Sequence, residues 1–351
     1  MLASIKTEAT ELSVAFGLIG VAPETAYFED VESRFEGTLS REKFDTFQHA
    51  YINDEKLNPL CTSLYEIAEA TRNVCPDLFP EQANVRWYGP FHQSRTVTTP
   101  QDLVMAATAI SVKENSMVVF NLSPYNLFIS IPSGLVLASK TENWYSRTAP
   151  NEYQSLFELV NEKTGFSSVS EFDRRATKEV VKGLQTHIKH LDEAQTSQFG
   201  QQYVELCTHV SLASANIFNQ TLEATLQTVH ATSLKDELLR YFLRLDAMPY
   251  VLIGLERNRP FSILVPSITQ WKREWQLGEI TAASDPSAGQ SVVRFSLVVT
   301  RGRARTGTTL PFHAEIRWSH GKFGGNPEAK LYRDFAWRDV PGFRQIVGCI
   351  S

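Results

Sequence analysis

Cysteine is scarce in this chain of 351 residues. The four cysteines are scattered and contain no Cys-x-x-Cys pair: Cys61, Cys75, Cys207 and Cys349. Small secreted proteins that depend on disulfides carry many closely spaced cysteines, so this pattern argues against a scaffold of that kind. It fits a reducing compartment, and we expect a cytoplasmic protein.

Apolar runs long enough to cross a membrane are also missing. The run 12–22 has eleven residues, ends in Val-Ala and is followed by Pro23, whereas a membrane-spanning helix needs about 20. A signal peptide needs a positively charged start, but here Lys6 is accompanied by Glu8 and Glu11. We therefore expect 12–22 to be a buried helix or strand, and we expect no membrane partner.

Several common catalytic motifs are absent. The sequence contains no Gly-x-Ser-x-Gly, no His-Glu-x-x-His, no dinucleotide-binding fingerprint and no internal repeat. The glycine-rich segment 321–327 lacks the Gly-Lys-Ser/Thr ending of a phosphate-binding loop. His187 and His190 have a spacing that suits a metal ion on one helix face, but no third ligand lies near them in the sequence.

Charge is distributed unevenly along the chain. The net charge is −5, which by itself does not indicate a nucleic-acid-binding protein. Residues 250–351 nevertheless carry 14 Lys and Arg against 8 Asp and Glu, whereas residues 1–249 carry 20 against 31. A surface that contacts a polyanion is therefore expected on the last hundred residues.

The segment 99–116 has the pattern of two short strands with a tight reversal between them. A two-residue loop at 106–107 would place Asp102 opposite Ser111, and a four-residue loop would place it opposite Lys113. Because strand side chains alternate between faces, either loop puts the three side chains on one face of the sheet.

The residues Pro-x-Asp at 100–102 and Ser-x-Lys at 111–113 resemble the core motif of the PD-(D/E)XK nucleases, the restriction-endonuclease-like family. The resemblance implies an α/β fold with a mixed-sheet core flanked by helices. It also implies that Asp102 binds Mg²⁺, for which Mn²⁺ can substitute, and that Lys113 positions or activates the attacking water.

This sequence departs from the family motif at two positions. Gln101 is inserted between the proline and the aspartate, and Ser111 replaces the second acid. Some members of the family carry serine there and recruit a glutamate from a neighbouring helix. The segment 60–74 has the apolar stripe of a helix and carries Glu66 and Glu69 on one side.

The resemblance therefore implies a specific set of site residues. The implied catalytic residues are Asp102, Ser111, Lys113 and Glu66. The implied metal ligands are Asp102, the backbone carbonyl of Val112, and Glu66 or Glu69.

Candidate DNA contacts come mainly from arginines. The Gly-punctuated loop 301–308 carries three arginines at alternate positions, and arginine forms bidentate contacts with phosphate and guanine. The alternative is a flexible charged hairpin tip. The full set of candidate DNA-binding residues is Arg95, Asn115, Arg301, Arg303, Arg305 and Lys322.

Periodicity divides the chain into three consecutive parts. We expect a nuclease-like α/β core at 1–148, a helical segment at 149–248 and a β-rich basic domain at 249–351. A length of 351 residues suits about two domains.

The leading functional interpretation is a Mg²⁺-dependent endonuclease of restriction or host-defence type that cuts double-stranded DNA. Cleavage of both strands usually needs two sites related by twofold symmetry, so a homodimer is the expected assembly. One alternative is a non-catalytic nucleic-acid-binding or assembly protein in which the hairpin is structural. Another is a nuclease acting on RNA, since nothing in the sequence indicates whether a 2′-hydroxyl is read.

Overall fold

The computed structural model describes residues 2–89, 101–139, 142–228, 231–302, 304 and 306–347. Over these residues the fold is mixed α/β, with helices and two sheets. The helices are α1 (Leu2–Ile19), α2 (Phe28–Val31), α3 (Arg41–Asn53), α4 (Asn58–Val74), α5 (Trp144–Thr148), α6 (Pro150–Glu158), α7 (Val169–Arg175), α8 (Lys178–Lys189), α9 (Glu193–Thr228), α10 (Ala231–Phe242) and α11 (Ile268–Trp271), with a π-helix at Asn126–Ser130. The strands are β1 (Val85–Trp87), β2 (Leu103–Met105), β3 (Thr108–Glu114), β4 (Val118–Leu122), β5 (Tyr250–Glu256), β6 (Arg259–Val265), β7 (Trp275–Ser284), β8 (Ser291–Arg301), β9 (Thr308–Arg317), β10 (Glu328–Arg333) and β11 (Arg344–Val347).

The chain forms two compact units that do not follow the three consecutive parts expected from periodicity. The first unit contains 1–116, 243–276 and 336–351, and the second contains 117–242 and 277–335. The physical reason is strand pairing. Strand β5, which follows the helical segment, pairs with β3, so the chain returns to the first unit after building most of the second.

The first unit has a mixed sheet with the strand order β1-β2-β3-β5-β6-β11. Strands β3 and β5 are parallel, and the other described pairs in this sheet are antiparallel. Helices α1 and α4 pack closely on each other, because Gly17 has no side chain to hold the Tyr65 carbonyl away. Their apolar residues and one face of the sheet form a shared core that contains Phe16, Leu64, Ile110 and Ile253.

The second unit has a sheet with the order β4-β10-β9-β8-β7, and β9 is antiparallel to both its neighbours. An aromatic cluster fills its interior: Phe242 lies 5.4 Å from Phe295 and 5.2 Å from Phe312 between ring centroids. Such ring pairs stabilise a core beyond their buried area.

Helix starts follow the local sequence. Ser40 caps α3 by accepting a hydrogen bond from the Lys43 amide, although Lys43 is not the glutamate of a full capping box. Pro59 lies in the first turn of α4, where its missing N–H is tolerated. The apolar run 12–22 lies largely within α1, so its helical alternative is the observed one.

The hairpin at 102–113 has the two-residue loop, the first of the two registers expected. Met105 pairs with Thr108 and Leu103 with Ile110, so the loop is Ala106-Ala107. Ala106 has a φ of 52°, the left-handed region that glycine usually occupies in such turns. This explains why the sequence signal for the turn is weak.

None of the helices in the described part of the chain is both long and apolar enough to cross a membrane.

The contact between β3 and β5 at Lys113 gives a testable prediction. A Cβ atom on Gly254 would lie 1.9 Å from the Lys113 carbonyl oxygen and 2.8 Å from its carbonyl carbon. Because both atoms are backbone, Gly254→Ala must separate the two strands, and we expect it to lower the free energy of unfolding by about 1–3 kcal/mol. Urea denaturation would measure the loss.

The matched control for that substitution is Gly183→Ala in α8. A Cβ atom there meets no heavy atom within 4 Å, and the position is exposed. Alanine favours a helix interior over glycine by about 0.5–1 kcal/mol, so this variant is expected to be slightly more stable. Equal effects of the two substitutions would contradict the steric explanation.

Candidate active site

Asp102 lies at the point where β2 stops pairing with β3. Strand β2 begins at Leu103, whereas β3 continues to Glu114. The carboxylate of Asp102 takes up part of the exposed edge, since its Oδ2 accepts a hydrogen bond of 2.7 Å from the Val112 amide. The hydroxyl of Ser111 donates to the same oxygen over 3.2 Å. These two donors fix the carboxylate against β3.

The backbone of Val112 is oriented toward Asp102. In a strand, the N–H and C=O of one residue point toward the same neighbouring strand. Because the Val112 N–H reaches Asp102, its carbonyl also faces the Asp102 side. The Asn115 amide bonds instead to Leu255 on the β5 side, as the alternation requires.

Register places Ser111 and Lys113 on the face of the sheet opposite the core face of Leu103 and Ile110, whereas the Asp102 carboxylate lies at the edge of β3, beside Ser111 and the Val112 amide. Ser111 is fully buried, while Asp102 and Lys113 are half-buried. The structure therefore brings together the aspartate, the serine and the lysine that the motif indicated.

The pKa of Glu11 of α1, an acid that sequence reasoning did not select, depends on the charges of Asp102 and Lys113. Glu11 is only 5% exposed, and its Oε2 accepts a hydrogen bond of 2.7 Å from the Trp87 indole N–H. The pKa of Glu11 is raised to about 7, mainly by burial; the Trp87 hydrogen bond opposes this shift, the charges of Asp102 and Glu8 add to it, and the charge of Lys113 opposes it.

Glu8, one helical turn before Glu11, has a different environment. Its Oε2 lies 2.5 Å from the ammonium of Lys43 on α3. Glu8 thus forms an ion pair with a lysine of α3, whereas Glu11 is bonded to Trp87 and its pKa depends on the charges of Asp102 and Lys113.

A buried cation lies near Asp102 as well. Arg244 is only 7% exposed, and burial lowers its pKa to about 10, while the charges of Tyr250, Asp102 and Asp246 oppose that shift. Its carbonyl accepts a hydrogen bond of 3.1 Å from the Tyr250 hydroxyl, which holds the segment before β5 in place.

The two acids predicted on α4 differ in exposure. Glu66 is exposed, and Glu69 is half-buried and accepts a hydrogen bond of 3.2 Å from the Tyr65 hydroxyl. Their predicted role as metal ligands stays a prediction.

The candidate DNA contacts fall into different settings. Asn115 is exposed and exchanges hydrogen bonds with Asn258. Lys322 is half-buried, and its ammonium lies 2.8 Å from the centroid of the Tyr203 ring, so it points into an aromatic environment. Burial lowers the pKa of Lys322 to about 8.

Of the loop arginines, Arg301 is exposed at the end of β8. Three further candidates lie outside the described residues: Arg95, Arg303 and Arg305. Pro100, the first residue of the family motif, also lies outside them.

Within the described ranges, no group of three or more His, Cys, Asp or Glu side chains is placed to hold a metal ion. The Asp102 carboxylate and the Val112 carbonyl lie on the same side of β3, and the charge of Asp102 contributes to the pKa of the Glu11 carboxyl. Magnesium is commonly held by one or two carboxylates with several waters, so this set of oxygen donors suits it.

Comparison with known protein families, with curated proteins and with solved structures finds no match for this chain.

The raised pKa of Glu11 predicts how stability depends on pH. The ordinary pKa of 4.5 applies in the unfolded chain, so between pH 4.5 and about 7 the folded state binds the proton more strongly. The contribution of this group to stability is therefore lost as the pH rises through that window, by roughly 3 kcal/mol. We expect Glu11→Gln to be more stable than the wild type at about pH 8 and little changed at pH 4.5.

Denaturation by urea at both pH values measures the effect, and Glu8→Gln is the control. That substitution removes the partner of Lys43, so we do not expect it to stabilise the protein at either pH. The assignment is wrong if Glu11→Gln shows the same stability difference from the wild type across the whole pH range.

Proposed function

We propose that this protein is a Mg²⁺-dependent endonuclease that hydrolyses phosphodiester bonds of double-stranded DNA, as the resemblance to the restriction-endonuclease-like family implies. The proposal rests mainly on one observation. The hairpin fixes the Asp102 carboxylate at the edge of β3, where Lys113 follows Val112, and the charges of Asp102 and Lys113 contribute to the pKa of Glu11, a buried glutamate of a neighbouring helix.

The glutamate is important because Ser111 occupies the position of the second acid of the family motif. We infer that Glu11 takes over the role first assigned to Glu66 or Glu69. Its position on α1 is consistent with the family variant in which a helix supplies the missing carboxylate.

The electrostatics of the site favour a bound cation. Burying a carboxylate without a compensating charge is unfavourable, and the raised pKa of Glu11 reflects that cost together with repulsion from Asp102. Asp102, Glu11 and the Val112 carbonyl are the groups that would hold Mg²⁺. When bound there, the ion would neutralise charge on the scissile phosphate and lower the pKa of a bound water.

The remaining groups act on geometry and on the proton. Ser111 and the Val112 amide hold Asp102 against β3, so the carboxylate keeps its position without metal. Lys113 follows Val112 on β3 and is the residue we assign to orient and activate the attacking water. Trp87 holds Glu11 through its indole N–H.

A second candidate function has an observation in its favour. Ser111 is fully buried and donates to Asp102, an arrangement that also serves a purely structural hairpin in a nucleic-acid-binding or assembly protein. Binding of duplex DNA in Ca²⁺ and in EDTA distinguishes the two. A metal-dependent site binds more tightly with the divalent ion, whereas a binder of the phosphate backbone depends only on ionic strength.

Substitutions at the hairpin test catalysis. We expect Asp102→Ala and Lys113→Ala to reduce nicking and cutting of supercoiled plasmid in Mg²⁺ by at least about a hundredfold, as loss of a positioned proton-transfer group typically does. Lys182→Ala, an exposed lysine on α8, is the matched control and should cut at the wild-type rate. Folded variants of Asp102 and Lys113 with wild-type activity would refute the proposal.

A separate comparison identifies the helix acid. Because Glu11 is the acid coupled to Asp102 and Lys113, we expect Glu11→Gln to lose activity in the plasmid assay and Glu66→Gln and Glu69→Gln to retain it. Loss of activity in either α4 variant, with activity kept in Glu11→Gln, would restore the assignment made from sequence.

A further inference from the structure

The turn between β5 and β6 has an unusual residue at its tip. Glu256 pairs with Arg259, so Arg257 and Asn258 form a two-residue loop. Both have positive φ, 51° and 60°, as in a type I′ turn. Asparagine is common in this conformation, but arginine is not, because its Cβ crowds the backbone. Backbone strain of this kind clusters at functional sites, which directs attention to the Arg257 side chain.

This turn is fixed to the strand that carries the proposed catalytic lysine. The Asn115 side chain accepts a hydrogen bond of 2.8 Å from the Asn258 amide and donates one of 2.8 Å to the Asn258 side chain. The Asn115 amide also donates to the Leu255 carbonyl over 2.8 Å. Asn115 follows Lys113 by two residues, so the turn and the lysine are held by the same short stretch of chain at the end of β3.

Register extends the face of Lys113 to the turn. Lys113 lies beside Gly254 on β5, and Glu256, the next residue of β5 on that face, pairs with Arg259. Because paired residues share a face, Arg259 lies on the same face as Lys113, one step closer to the tip, and it is exposed. Gly254 adds no side chain to the face between them.

From these contacts we propose that Arg257 and Arg259 form a phosphate-binding turn that holds the backbone of duplex DNA next to the scissile bond. The proposal rests on the proposed nuclease function and names a substrate contact outside the residues assigned to it. Both arginines are exposed, and arginine binds phosphate oxygens through two parallel N–H groups. Asn115, expected from sequence to bind DNA itself, acts here as the residue that positions the turn.

The strain at Arg257 makes the test specific. Arg257→Gly removes the side chain and relieves the backbone, so we expect a more stable protein that binds DNA more weakly. Binding of a short fluorescein-labelled duplex in Ca²⁺ should show a slope of log affinity against log salt that is reduced by about 0.9 for each phosphate that the variant no longer neutralises. Arg259→Gln should reduce the slope similarly. Arg257→Lys keeps the positive charge, so it should retain most of the wild-type slope.

The matched control is Arg273→Ala, which removes an exposed arginine of the same unit. Arg273 follows α11, which the chain reaches from the opposite end of β6, and the variant should bind DNA as the wild type does. The phosphate-binding turn is refuted if Arg257→Gly and Arg259→Gln both keep the wild-type affinity and salt slope. It is also refuted if only binding of an RNA duplex is weakened.

Failure of this inference can be separated from failure of the proposed function. Plasmid cutting by the wild type that disappears in Lys113→Ala supports the nuclease whatever the turn variants do. Unchanged binding by the turn variants then overturns the phosphate-binding turn alone. A wild type that binds duplex but does not cut it, with binding weakened by Arg257→Gly, overturns the nuclease and supports the phosphate-binding turn.

Discussion

The hydrogen bond from the Val112 amide to the Asp102 carboxylate organises the candidate active site. Strand β2 begins only at Leu103, so it does not cover the part of β3 that follows Ile110. There the Asp102 carboxylate replaces the missing strand carbonyl as the acceptor. The backbone therefore determines where the acid lies, and the same edge presents the Val112 carbonyl toward it. Lys113 follows on the same strand. The proposed chemistry depends on the short length of β2, which leaves this part of β3 without a neighbouring strand.

Burial then sets the electrostatic character of the site. Helix α1 packs against the sheet with its apolar residues and carries Glu8 and Glu11 into the interior. Glu8 has Lys43 as an ion-pair partner, whereas the environment of Glu11 contains a second acid and a lysine at longer range. A helix that is chiefly structural thus carries a buried carboxylate whose pKa depends on the charges of the hairpin.

The sequence was informative where the signal was local. The amphipathic stripe of 60–74, one of the two hairpin registers expected and the β texture after Tyr250 appear in the structure, because side-chain periodicity and turn length determine them directly. Pairing between distant segments has no such local signal, so the return of β5 to β3 and the division into two units were not predicted. For the same reason the sequence directs attention to two acids of α4 and not to Glu11.

A signal for Glu11 does exist in the sequence. Glu8 and Glu11 lie one turn apart at the start of an apolar run, where their charge also argues against a signal peptide. Acids within an apolar helix need a buried partner, and that requirement marks them as candidates for a site. The identity of the partner comes only from three-dimensional packing.

The interrupted first unit has a consequence for biosynthesis. Strand β3 acquires its parallel neighbour only after the intervening second-unit segment 117–242 has left the ribosome, and β6 gains β11 only near the end of the chain. During that interval a nascent chain exposes an unpaired strand edge, and such edges promote association between chains. Because the first sheet depends on contacts between residues far apart in sequence, we expect slow refolding and capture of the nascent chain by chaperones.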